Sequence, residues 1–387
     1  MMLPPPAVEE GGGDKFYNFY SVADNKVLTV NKSPVAAAGK SGLDVPDDDA
    51  VFVGSSHGWL GLSNKRNHDF FLSNPLSRRH IKIPSIRSLP LPEENWTWPS
   101  GHGVLKIIIS GSPDEDCRAM MSFGPERRLA FCCPGRSTEW TPIGALVHED
   151  GEIDGLHGIT ARSYEDYVYS SKERVFFCAT QFGCLESWDL RDPGSPRLDW
   201  EVNVYDMDVE NYPWADRSEE ELEIKLMCRN MQYLVFSEQS SQLFLITRLV
   251  MEQVLLDGSY VVDLESRIDE GYPHKTIGFD VHRIDREKGE LWYMDGSLDG
   301  LAFFIGSNHG FALSASDFPG LKPNSIYYTE AKEYTFSNWG NDKNYGGHDI
   351  GIFDYGNKTF SSCYYPNDVQ NMKKIVPAPF WFTPSPL

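Results

Sequence analysis

Two short segments share the pattern Gly-Ser-x-His-Gly, at residues 54–58 and 306–310. The first also reads Gly-x-Ser-x-Gly, with Ser56 in the position of a hydrolase nucleophile. That chemistry needs a strand-to-helix turn that exposes the hydroxyl. Here Trp59-Leu60-Gly61-Leu62 follows and has strand character, and the second copy carries Asn308 where the nucleophile would stand. A hairpin turn accounts for both copies, the glycines supplying positive φ. Gly39-Lys40-Ser41 ends like a phosphate-binding loop, but Pro34 replaces the first glycine and no helical pattern follows. DKNYGGHD (342–349) is oxygen-rich like a calcium loop, yet Phe353 occupies the twelfth position, where a bidentate acid is required. The 10 histidines form no H-x-x-x-H pair, and 56 acidic residues offer no way to single out a carboxylate pair for acid–base work. The seven cysteines contain no C-x-x-C, and several lie in apolar runs such as Phe131-Cys132-Cys133. They read as buried free thiols, which suits a reducing compartment. No catalytic residue, metal ligand or cofactor is expected.

Two tryptophans fit no strand pattern. Trp96 and Trp98 lie in ENWTWPSGHG (94–103), a loop by composition. Exposed aromatics on loops anchor protein partners, so the pair is the candidate partner-binding site. Packing against a neighbouring element is the other reading, and both stay open.

The elements that must hold these residues come in sets of four short apolar runs. The sets span residues 51–84, 104–144, 166–203, 231–295 and 301–356. Such a unit, recurring at this period, is what a propeller blade looks like in sequence. A lone strand pair leads at 16–31, and a trailing pair surrounds TFSSCYYP and APFWFTP. Pairing strands from the two ends would close the ring and hide its sheet edges. The expectation is an all-β fold, a closed β-propeller of about six four-stranded blades (five to seven) with little helix. One helical exception is predicted at 216–230, where Ser218 and Glu221 form a capping box. Residues 1–15 read as extended or disordered, and 16–387 as one propeller domain with loop insertions near 33–50, 206–230 and 331–348.

Composition narrows the function classes. A net charge of −21 with no basic stripe argues against nucleic acid. No apolar run reaches the roughly 18 residues of a membrane helix, and the N-terminus has no secretory or transit pattern. The expected compartment is the cytoplasm or nucleus, with the mitochondrion as the alternative if the N-terminus is incomplete.

Four segments carry a family resemblance. VGSSHGWLGL, FFLSNPLSRRHIKIP, SASDFPGLKPNSIYYT (314–329) and HDIGIFDYG resemble the plant KIB-type β-propeller family, long labelled a domain of unknown function. CRAMMSFGPERRLAFCCPGRSTEWTPIG is similar to the branch of that family that lacks an F-box. The resemblance implies a non-enzymatic protein-interaction module, related to the target-recognition part of F-box substrate receptors. No catalytic residues come with it. A propeller hydrolase with its site in the central channel is the alternative. Nothing before Phe16 has the helical, Leu-rich pattern of an F-box, so direct binding to the Skp1 adaptor is not expected. The partner is expected to be another protein, of unknown identity.

Overall fold

The computed structural model describes residues 1–3, 16–31, 50–64, 69–89, 104–124, 127–144, 147–148, 160–161, 163–211, 218–260, 272–330 and 345–384. Strands β1 (Met2–Leu3), β2 (Phe16–Ser21) and β3 (Lys26–Asn31) form a three-stranded sheet in that order. The chain then packs as two compact units. One holds Val30–Asn203, and the other holds Val204–Trp381 together with Asn18–Thr29 and the start of the chain.

In the Val30–Asn203 unit the first three predicted sets each become one antiparallel four-stranded meander. The first is β4 (Ala50–Ser56), β5 (Trp59–Asn64), β6 (Phe70–Asn74) and β7 (Arg79–Ile83). His57 and Gly58 join β4 to β5 with φ of 50° and 77°, the doubly positive turn whose twist suits a hairpin. Asn74 Oδ1 accepts from the amides of Leu76 and Ser77 (3.0 and 2.9 Å), which turns the chain from β6 into β7. The second sheet is β8 (Val104–Ile109), β9 (Ala119–Phe123), β10 (Arg128–Cys132) and β11 (Thr141–Ile143). A two-stranded ribbon follows, β12 (Val147–His148) with β13 (Thr160–Ala161). The third meander is β14 (Tyr164–Ser170), β15 (Val175–Thr180), β16 (Cys184–Asp189) and β17 (Arg197–Asn203). Strands β5 and β15 are buried along their whole length, so they lack the two-residue polar alternation of a half-exposed strand. Ile108, Met120, Phe131, Tyr167 and Phe176 form a core between the second and third sheets.

The other unit begins with β18 (Asp208–Glu210) and α1 (Glu219–Met227). Helix α1 confirms the predicted cap, since Ser218 Oγ accepts from the Glu221 amide at 3.1 Å. Within 206–230 the described residues hold the short strand β18 and helix α1. Strands β19 (Arg229–Ser237), β20 (Gln242–Met251), β21 (Lys275–Asp285) and β22 (Glu290–Tyr293) form the fourth antiparallel run, with β18 added parallel to β22.

The fifth predicted set departs from a simple meander. Strands β23 (Leu301–Ile305) and β24 (Phe311–Ser314) are an antiparallel hairpin, but β25 (Ser325–Tyr328) pairs parallel to β23 instead of returning along β24. The linker 315–324, which carries Pro319 and Pro323, takes the chain from β24 past β23 to the far edge of β23, so β25 runs opposite to β24 and therefore parallel to β23. Tyr327 lands stacked on Phe304, with ring centroids 4.7 Å apart. Strands β26 (Gly351–Asp354) and β27 (Thr359–Ser361) then continue antiparallel. The trailing segments therefore do not pair with each other: β27 extends this sheet, and Phe380 bridges Met2, with Met2 N donating to Phe380 O at 2.8 Å. The two ends of the chain do meet, at this isolated bridge, within this unit.

Candidate functional site

The residues singled out in the sequence separate cleanly. Trp96, Trp98 and most of the 33–50 and 331–348 segments lie outside the described residues. Both Gly-Ser-x-His-Gly copies join adjacent antiparallel strands, the first by a two-residue turn and the second by a wider loop. Ser56 ends β4, one residue before the hairpin turn. Its hydroxyl lies within hydrogen-bond distance of both Ile109 O (3.0 Å) and His57 Nδ1 (2.8 Å), on a strand-to-strand turn rather than a strand-to-helix elbow. All seven cysteines are free and buried, as expected. Burial pushes the Cys363 thiol up to about 12, far from a reactive thiolate. Cys184 Sγ donates to Glu201 Oε1 at 3.3 Å, while Glu186 Oε2 accepts from Tyr164 Oη (2.9 Å) and Trp188 Nε1 (2.5 Å). These hydrogen bonds join the three side chains Cys184, Glu186 and Glu201, whose possible ligand atoms lie within 4.8 Å of one another.

The densest cluster of ionisable groups was not legible as a motif. It is buried in the Val204–Trp381 unit, where the start of β21, the end of β25 and the start of β26 converge on the middle of β20. Arg248 on β20 is fully buried. Its Nε donates to Thr276 Oγ1 (2.7 Å), Nη1 to Thr329 O (2.7 Å) and Nη2 to Asp349 Oδ2 (2.8 Å). Asp349 Oδ2 also accepts from the amide and hydroxyl of Thr276, at 2.9 and 2.6 Å. The guanidinium lies 4.9 Å from the ring centroid of Tyr328. Beside this clasp, His274 Nε2 sits 2.9 Å from Glu330 Oε1, and Glu330 Oε2 accepts from the Asp349 amide.

The three titratable groups of this second pair differ in charge for physical reasons. Burial opposes a charge on His274, but the Glu330 carboxylate outweighs it and holds His274 above the ordinary imidazole value. Burial likewise resists ionisation of Glu330, and His274 overcomes it, bringing the carboxyl down to about 2. His348 goes the other way, lowered by burial and by the neighbouring His274 charge. Its ring is fully committed: Nδ1 accepts from the Gly346 amide at 2.8 Å, and Nε2 donates to His274 O at 2.9 Å. Gly347 makes that turn feasible, with φ +69° and the space of a Cβ only 2.0 Å from Ile375 O.

His274, Glu330 and His348 are the residue types of a two-histidine, one-carboxylate metal centre, with donor atoms within 4.8 Å of one another. The commitment of the His348 lone pair to Gly346 leaves two donors, fewer than the three protein ligands of a zinc site. What the arrangement does is tie three chain segments together, with every charge paired in the low-dielectric interior.

Three four-stranded antiparallel meanders and a ten-stranded, mostly antiparallel sheet that joins the fourth and fifth runs through a β19–β24 bridge are consistent with a β-propeller-type protein. Residues 19–354 match the KIB1-4 beta-propeller family, and the chain belongs to it. A stretch of 61 residues is 44% identical to an F-box protein of Arabidopsis thaliana, covering 16% of this chain and 14% of that protein. Among solved structures, AztD of Citrobacter koseri overlaps at 12% identity with a TM-score of 0.31, over 63% of this chain and 45% of that one. The Cps50 (Swd1) beta-propeller domain of Myceliophteria thermophila overlaps at 9% identity with a TM-score of 0.29, over 62% and 72%. Scores of that size are too low to bear on function here.

Proposed function

We propose that this chain is a non-enzymatic protein-interaction module, a target-recognition propeller related to those of F-box substrate receptors. The observation that carries this reading is the family match across residues 19–354, joined to the similarity with an F-box protein. The buried polar cluster supports it, because its acids and bases are spent on one another and on backbone groups rather than aimed at a substrate. In this reading residues 16–387 form one closed ring of about six blades. The blade loops offer the binding surface, and Trp96 and Trp98 are its anchors. The ring itself engages the target and does not bind a Skp1-type adaptor. Seven free buried thiols fit a cytoplasmic or nuclear setting.

Affinity capture of the tagged chain from plant tissue, read by mass spectrometry, tests this directly. A specific protein partner is expected, and Trp96→Ala with Trp98→Ala should lower its recovery at least about tenfold, the loss of one hot-spot anchor. Recovery of no protein above background from the wild-type chain would sink the reading. Full recovery by the double variant would return both tryptophans to packing.

A further inference from the structure

Helix α1 has apolar residues on two faces, and among the described residues only one of them is packed against the core. Ile224 and Met227 pack against Cys228, Leu249, Met251, Val254 and Val369. Lys225 Nζ fixes the same side by its ion pair with Asp280 Oδ2 at 2.6 Å. On the other side Leu226 is 86% exposed and Leu222 38%. The two are four residues apart, so they form one stripe about 6 Å long on the helix surface. Glu219 and Glu223 are exposed and flank it, each three residues before one of the leucines. Among the described residues neither acid has an ion-pair partner. A solvated surface helix would place polar residues where Leu222 and Leu226 stand.

We propose that this face of α1 is a docking surface for a basic, amphipathic helical segment of a partner protein. The proposal rests on the interaction-module reading and names the chemistry of one partner. Charge decides the occupant. The stripe is rimmed by carboxylates that have no ion-pair partner among the described residues, on a chain of net charge −21, so an acidic or neutral segment would leave them unmatched. A segment with two apolar residues at four-residue spacing covers Leu222 and Leu226, and its flanking Lys or Arg reach Glu219 and Glu223. The long-range field of the acidic chain favours encounter with such a segment. The helix is suited to hold the surface still, being capped by Ser218 at one end and anchored by Lys225 and Met227 near the other.

The test uses the full chain and a synthetic helical peptide with Leu on one face at four-residue spacing and Lys on both flanks. Binding is followed by fluorescence anisotropy at about physiological salt, where surface charges act over roughly 8 Å. The wild-type chain should bind, and Leu222→Ser with Leu226→Ser should weaken binding at least tenfold at unchanged net charge. Circular dichroism should show the fold intact, since neither leucine is on the packed face. Glu219→Gln with Glu223→Gln should weaken binding and flatten its salt dependence. Glu115→Gln with Glu287→Gln removes as many exposed charges elsewhere and should not. The proposal falls if the peptide does not bind, if the serine pair binds as the wild type does, or if the control pair weakens binding equally. None of these results touches the module reading, which fails only if capture from tissue retrieves no partner.

Discussion

Arg248 shows how much of this protein's order depends on single buried charges. A guanidinium in a dry interior is tolerated when its nitrogens find acceptors and a counter-charge stands nearby. Thr276, Thr329 and Asp349 supply them, from residues as far as 101 positions away in sequence. The neighbouring Glu330 and His274 pair gives this a pH signature. The depressed Glu330 carboxyl contributes stability above its unfolded value near 4.5, and that contribution is lost as pH falls toward about 2. The raised His274 contributes fully below its unfolded value near 6.5, and its share is lost as pH rises through its folded value. His348, held low, works against His274 below 6.5, because the unfolded chain takes up that proton first. Glu330→Gln removes the carboxylate but keeps the shape. It should cost about 3–5 kcal/mol, the usual result of breaking a buried pair. Urea denaturation at stepped pH checks this. The gap between variant and wild type should be widest between about 4.5 and 6.5 and narrow on both sides. A gap constant with pH would show that the pair is not ionised.

At the scale of elements, the sheets were legible where strand and turn chemistry agree, and obscure where tertiary contacts decide. The Gly-Ser-x-His-Gly hairpins, the Asn74 turn and the Ser218 cap follow from local rules, and the structure has them. The parallel placement of β25 does not, because Ser325–Tyr328 reads the same whichever strand it joins. The buried cluster was hidden for a related reason. His348 and Asp349 were visible only as the end of an oxygen-rich loop, and His274 and Glu330 sit in no pattern at all, since they meet through folding. One sequence feature did encode packing between sheets. Gly54 has φ +130°, and a Cβ there would stand 2.6 Å from Ile107 O on β8. Gly54→Ala should therefore destabilise by about 2 kcal/mol or more, from backbone strain plus displacement of β8. Gly111→Ala, where a Cβ would meet nothing within 4 Å, should stay within about 0.5 kcal/mol of wild type. Equal midpoints for the two variants in chemical denaturation would mean that β4 and β8 are not closely apposed.

At the scale of the whole chain, the proposed closed ring makes a prediction about cooperativity. A blade cannot bury both faces of its sheet alone, so in a ring each blade depends on its neighbours. Each unit offers a buried ion pair as a handle. In one it is Glu330 with His274, and in the other Lys106 Nζ with Asp166 Oδ1 at 2.6 Å, both side chains almost fully buried. Lys106→Met leaves Asp166 without its counter-charge and should cost about 3–5 kcal/mol. If the blades form one ring, each variant lowers the midpoint of a single transition, with tryptophan fluorescence and far-ultraviolet circular dichroism coinciding. If the two units are instead separate folding domains, each variant shifts only its own transition and leaves the other in place. The fluorescence and dichroism curves then part, and the one-ring reading is lost. The ring has a further consequence for recognition. If the proposed ring holds, loops from its blades would share one binding face, and Lys106→Met should release a captured partner at the same denaturant concentration at which β20 and β21 unfold.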